Sequence, residues 1–106
     1  MRSMLDTYAV IELFIGSKKG EKVREMIEDS EGTYISSITI YEAGIFFRRK
    51  LEKEKADAYI RSISDHWKII SVDGDIARCA VDLKERFKLP TADCLIYACT
   101  RSVNAV

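Results

Sequence analysis

The chain is 106 residues long, with 47% hydrophobic and 32% charged residues, a composition that excludes disorder and can bury a core without disulfides or metals. Its 17 Lys and Arg balance 17 Asp and Glu, so net charge gives no support to nucleic-acid binding, and any such contact must come from a local basic patch. No apolar run approaches the roughly 18 residues that span a membrane, and charge arrives at Asp6 too soon for a secretory signal, which leaves the cytoplasm as the expected compartment.

Ser3-Met4-Leu5 is a short apolar run that ends at Asp6, and Thr7 to Phe14 follows as a first short helix. Ser17 to Gly20 reads as a turn, after which Val23, Met26 and Ile27 keep the i, i+3, i+4 spacing of a second helix. Thr33-Tyr34-Ile35-Ser36 is β-prone and bounded by Gly32 and a serine pair, which predicts a strand. A longer helix is expected from Ile38 to about Lys50, with Ile38, Ile45 and Phe46 in the core. Ala56, Tyr59, Ile60 and Ile63 mark another amphipathic helix, and Trp67 to Val72 a third strand. Asp73 stands where an N-cap belongs, before a helix carrying Ile76, Ala80, Leu83 and Phe87. Leu89-Pro90-Thr91 breaks that helix, and the last one starts at Thr91 with Ala92, Leu95, Ile96 and Cys99 on one face. Strands separated by helices predict an α/β fold with a parallel sheet, because parallel strands need crossover connections. Asn104-Ala105-Val106 reads as the first residues of a fourth strand, so the sequence is expected to be incomplete at its C-terminus. Cys79, Cys94 and Cys99 form no C-x-x-C pair and fall on helices, which predicts free buried thiols and no zinc site or disulfide framework.

Three acids stand out by position. Asp6 closes the first strand, Glu42 is expected in the first turn of the helix after the second strand, and Asp93 in the first turn of the final helix. Ligands of doubly wound sheets bind at the carboxyl ends of the strands. Helix N-termini favour ionised carboxylates, and clustered carboxylates repel one another unless a hard cation such as Mg²⁺ or Mn²⁺ is present. Each acid also has a plainer role. Asp6 can simply cap its helix, Thr39-Ile40-Tyr41-Glu42 matches a capping box, and Thr91-Ala92-Asp93 is an ordinary helix start. Only the fold decides whether they converge.

Leu5-Asp6-Thr7 before an apolar helix resembles the opening of PIN domains, as found in VapC-type toxins. Tyr34-Ile35-Ser36-Ser37-Ile38-Thr39-Ile40-Tyr41-Glu42 resembles the second motif of that family, and Leu89-Pro90-Thr91-Ala92-Asp93-Cys94-Leu95-Ile96-Tyr97-Ala98 resembles the third. Order and spacing match over essentially the whole chain. The resemblance implies one PIN-like domain over residues 1–106, a three-layer α/β/α fold around a short central parallel sheet. It also implies an endoribonuclease dependent on Mg²⁺ or Mn²⁺, with Asp6, Glu42 and Asp93 as metal ligands. Thr7 would orient a carboxylate or a ligated water. The partners implied are an RNA substrate, a cognate antitoxin whose tail fills the active-site groove, and a second copy of the chain in a homodimer. Two departures accompany the resemblance. The family's fourth strand, with its further acid, is not supplied before Val106, and Tyr8 puts a bulky phenol where family members commonly have Ser or Asn.

Other features read as structural. Arg48-Arg49-Lys50 and Lys18-Lys19 are candidate phosphate contacts but more simply solvated faces. His66 has no second His or Cys near it in sequence, and Asp73 and Asp75 are explained by capping and the helix dipole. Tyr41, Phe46 and Phe47 are expected to pack in the core or a dimer interface. Besides a nuclease, the residues allow a catalytically impaired PIN-like module that binds an antitoxin-type protein or RNA. An aspartyl-phosphate protein is disfavoured, because Asp6-Thr7-Tyr8 lacks a second aspartate and no acidic pair precedes a phosphoacceptor.

Overall fold

Each strand here is too short to bury itself, so the sheet depends on helices pressed against both faces. In the computed structural model, which describes residues 1–106, the order is β1 (Arg2–Leu5), α1 (Thr7–Ile15), α2 (Lys18–Glu28), β2 (Gly32–Ser36), α3 (Ser37–Lys50), α4 (Lys53–His66), β3 (Lys68–Ile70), α5 (Gly74–Phe87) and α6 (Thr91–Ser102). The sheet runs β1-β2-β3, all parallel. Leu5 pairs with Ile35 and Ile35 with Ile69.

Alternation along the strands divides the core in two. Leu5 and Ile35 point to one face, where Val10, Ala43, Phe47, Ala56 and Ile63 from α1, α3 and α4 cover them. Met4 points to the other, against Ile76, Ala80 and Leu83 of α5 and Cys94, Ala98 and Cys99 of α6. The architecture is the expected three-layer α/β/α. The three thiols are free, with Cys94 and Cys99 buried and Cys79 half-buried. No helix is long and apolar enough to cross a membrane.

Several boundaries and core positions differ from expectation. Ser17 to Gly20 is no separate turn, because the Ser17 hydroxyl accepts from Gly20 N–H (3.0 Å) and starts α2 there. On α3 the buried face is Thr39, Ala43, Gly44 and Phe47, while Ile45 is exposed. Of the expected Ile38, Ile45 and Phe46, the first and last are half-buried, because close approach of α4 selects the small face: a Cβ on Gly44 would meet Ile60 Cδ1 at 3.2 Å. Phe87 is likewise exposed and stacks on Tyr97 outside the core. The third strand shrinks to Lys68–Ile70. Beyond α6, Val106 lies along the free edge of β1, donating to Arg2 O (3.2 Å) and accepting from Met4 N–H (3.0 Å), the pattern of a parallel strand.

Candidate metal centre

The first acid is positioned by the end of β1. Asp6 leaves the strand in an extended conformation and caps α1, its Oδ1 accepting from Ala9 N–H at 2.8 Å. The capping role foreseen for it is therefore real, but it occupies one carboxylate oxygen. Glu42 stands deeper in its helix than the sequence indicates. Ser36 ends β2 and caps α3 at once, accepting from Ile38 N–H at 3.1 Å. The helix thus starts at Ser37 and Glu42 falls in its second turn, so the capping box does not form. Instead Glu42 Oε1 accepts from the Thr7 hydroxyl at 2.6 Å, and the fully buried Thr39 hydroxyl lies 3.5 Å from that of Thr7. Asp93 is in the first turn of α6, whose N-cap is Pro90 with no side-chain cap. Thr91 does not cap, and the Asp93 carboxylate makes no helix-capping bond.

Asp6, Thr7, Glu42 and Asp93 line one open depression of about 290 Å³, with Ile11 and Ile96 as its apolar wall and Tyr8 at its lip. Asp6 and Asp93 also border an adjoining hollow of about 390 Å³ that reaches Thr100 and Val106. The site sits at the carboxyl end of β1 and over the N-termini of α1 and α6, which favour negative charge there. No Lys or Arg lines it. As they stand, the acids are not drawn to the spacing at which three of them hold one ion. Asp6 and Asp93 are exposed at the depression. The donor set, hard carboxylate oxygens and a hydroxyl with no His or Cys, suits Mg²⁺ or Mn²⁺.

Tyr8 sets its bulky phenol at the depression. It is 58% exposed, and its hydroxyl accepts from Lys19 Nζ at 3.2 Å, an arrangement that spacing alone does not reveal. That hydrogen bond holds the Lys19 pKa above its ordinary value. The other candidates stay outside the site. Arg48 pairs with Asp57 (2.8 Å), Arg48-Arg49-Lys50 end α3, and His66 Nδ1 contacts Ser62 O on its own helix. Asp73 Oδ1 accepts from Ile76 N–H at 2.9 Å, as an N-cap should. The groove between α5 and α6 is mainly apolar, with Ala77, Ala80, Val81 and Leu95 beside Lys84, Glu85, Thr91 and Cys94, and none of the three acids borders it.

The PIN domain family profile matches residues 3–106. No curated protein matches the sequence. Among solved structures, a toxin-antitoxin complex from Klebsiella pneumoniae is 24% identical with a TM-score of 0.81, over 97% of this chain and 81% of that one. VapBC2 from Rickettsia felis, solved with a DNA fragment from its promoter, is 18% identical with a TM-score of 0.79, over 99% and 84%. VapC20 of Mycobacterium tuberculosis, a toxin that cleaves the sarcin-ricin loop, is 14% identical with a TM-score of 0.77, over 99% and 85%. At these identities the likeness is one of fold.

Proposed function

We propose, from the premise that this chain belongs to the PIN domain family, that it is a metal-dependent endoribonuclease of the toxin type. The observation that carries the reading is the convergence of Asp6, Glu42 and Asp93, from three separate helices, on one depression with Thr7 bonded to Glu42. Asp6, Glu42 and Asp93 would hold Mg²⁺ or Mn²⁺. When bound, such an ion supplies an acidified water for attack at phosphorus and positive charge for the oxygens of an in-line displacement. Asp6 contributes the oxygen its cap leaves free, and the Thr7 hydroxyl fixes one oxygen of Glu42 so that the other can face the depression. Ile11 and Ile96 limit water on the apolar side.

Residues 1–106 act as one unit in this reading, in the cytoplasm and as a homodimer. Silencing falls to an antitoxin whose tail enters the same depression, a partner suggested by the complexes of similar fold.

The test is incubation with mixed structured RNA in Mg²⁺ or Mn²⁺, with EDTA and Asp93→Asn as controls. Cleavage that both controls abolish is expected; cleavage that survives both overturns the site. A folded protein that binds RNA or an antitoxin-type protein without cleaving it would favour a second reading, a PIN-like binding module. The separation of the acids is what favours that alternative.

A further inference from the structure

An acidic depression repels the phosphates it is meant to cleave, so a nuclease site needs a cation at its rim. Among the side-chain hydrogen bonds, one cation is tied to a residue lining this depression, and it is Lys19, through Tyr8. The two come from different helices. Tyr8 is in the first turn of α1, beside Thr7, and Lys19 is in the first turn of α2. The Ser17 cap that starts α2 brings them together. The ammonium approaches the hydroxyl end of the ring, 3.2 Å from the oxygen but 5.3 Å from the ring centroid. The tyrosine is thereby braced while it remains 58% exposed. Lys19 is exposed and makes no ion pair.

We propose that Tyr8 and Lys19 form a substrate clamp for single-stranded RNA at the lip of the acidic depression, Tyr8 stacking an unpaired base and Lys19 holding an adjacent phosphate. This rests on the nuclease reading for its substrate and deepens it by naming two residues of this chain that would hold the strand beside the acids. Stacking on an exposed aromatic requires a base free of its pair, and it tolerates any base because every base has a π-face. A lysine contributes a point charge to a phosphate without reading sequence. The clamp therefore selects unpaired RNA and leaves base identity to other contacts.

The experiment separates the clamp from the chemistry. Binding of a fluorescent single-stranded oligoribonucleotide and of its duplex is measured by anisotropy in EDTA, with cleavage in Mg²⁺ or Mn²⁺ followed in parallel. Tyr8→Ala should weaken single-strand binding about tenfold, and Tyr8→Phe should restore most of it. Lys19→Gln should weaken binding about fivefold and reduce the dependence on log salt by about 0.7, the increment for one phosphate contact on a single strand. Lys19→Arg should rescue it, while Lys18→Gln, one residue away, should leave it unchanged. In cleavage, Lys19→Gln should raise KM with little effect on kcat. Equal affinity for single strand and duplex, equal effects of Lys18→Gln and Lys19→Gln, or no oligonucleotide binding at all would each overturn the clamp. Single-strand binding with the expected variant pattern but no cleavage would uphold the clamp and reject the nuclease.

Discussion

Thr7 carries the most consequential single contact, because its hydroxyl is the only partner of Glu42 among the side chains. Thr7→Val keeps the shape and removes the donor, leaving the carboxylate free to turn away. Loss of such an orienting bond costs about 10–100-fold in metal affinity or activity. Mn²⁺ binding and RNA cleavage are expected to fall by that order, and Thr7→Ser to recover most of both. Asp6 serves two purposes that substitution can separate. Asp6→Asn preserves an acceptor for Ala9 N–H and should leave the urea midpoint nearly unchanged, while Asp6→Ala should cost about 1 kcal/mol. Both should abolish metal-dependent cleavage. Equal stability of the two variants would show that the cap contributes nothing. One aspartate at a strand end satisfies the description of a cap and of a ligand alike; the structure shows the cap, which leaves the second carboxylate oxygen without that bond.

At the scale of elements, the α1–α2 corner sets the lip of the site and depends on two glycines. Gly16 ends α1 at φ 72°, a left-handed conformation that costs an L side chain, and its N–H donates back to Glu12 O. Gly20 lies inside α2, where an added Cβ would overlap the Glu12 carbonyl oxygen and sit 2.8 Å from its carbon. Those are backbone atoms and cannot rotate aside. Gly20→Ala should therefore force the helices apart, with a loss of about 1–3 kcal/mol in urea unfolding and a displaced Lys19. An unchanged midpoint would mean that the corner relaxes without cost. In the sequence Gly20 looks like turn chemistry; its reason is the proximity of a neighbouring helix, which local pattern does not contain. The same cause hides the small face of α3, whereas Glu42 lies a turn deeper than its capping motif suggests because Ser36 caps the helix first.

For the whole molecule, the two half-cores meet at the sheet, and α6 joins them to the site: Cys99 is fully enclosed there, its thiol directed at Ser36 Oγ (3.5 Å) at the end of β2. Burial pushes the Cys99 pKa above the ordinary thiol value of 9.0. A raised folded pKa gives stability that is complete below the unfolded value and is lost as pH rises towards the folded one. The urea midpoint should decline above pH 9.0, and Cys99→Ala should flatten that decline whatever its effect at neutral pH. A slope unaltered by the substitution would assign the decline to other groups. Much of this molecule was determined by the sequence alone: the order of strands and helices, the parallel sheet, the N-cap at Asp73 and the positions of three acids near helix starts, whose proposed role as ligands comes from the resemblance to PIN domains. Those follow from periodicity, turn chemistry and motif spacing, which are local and survive without contacts. The convergence of Asp6, Glu42 and Asp93, the Thr7–Glu42 bond, the pairing of Tyr8 with Lys19 and the choice of buried face on α3 were decided by tertiary structure. Each depends on the distance between residues remote in sequence or lying on neighbouring helices, and that distance exists only once the helices have packed on the sheet.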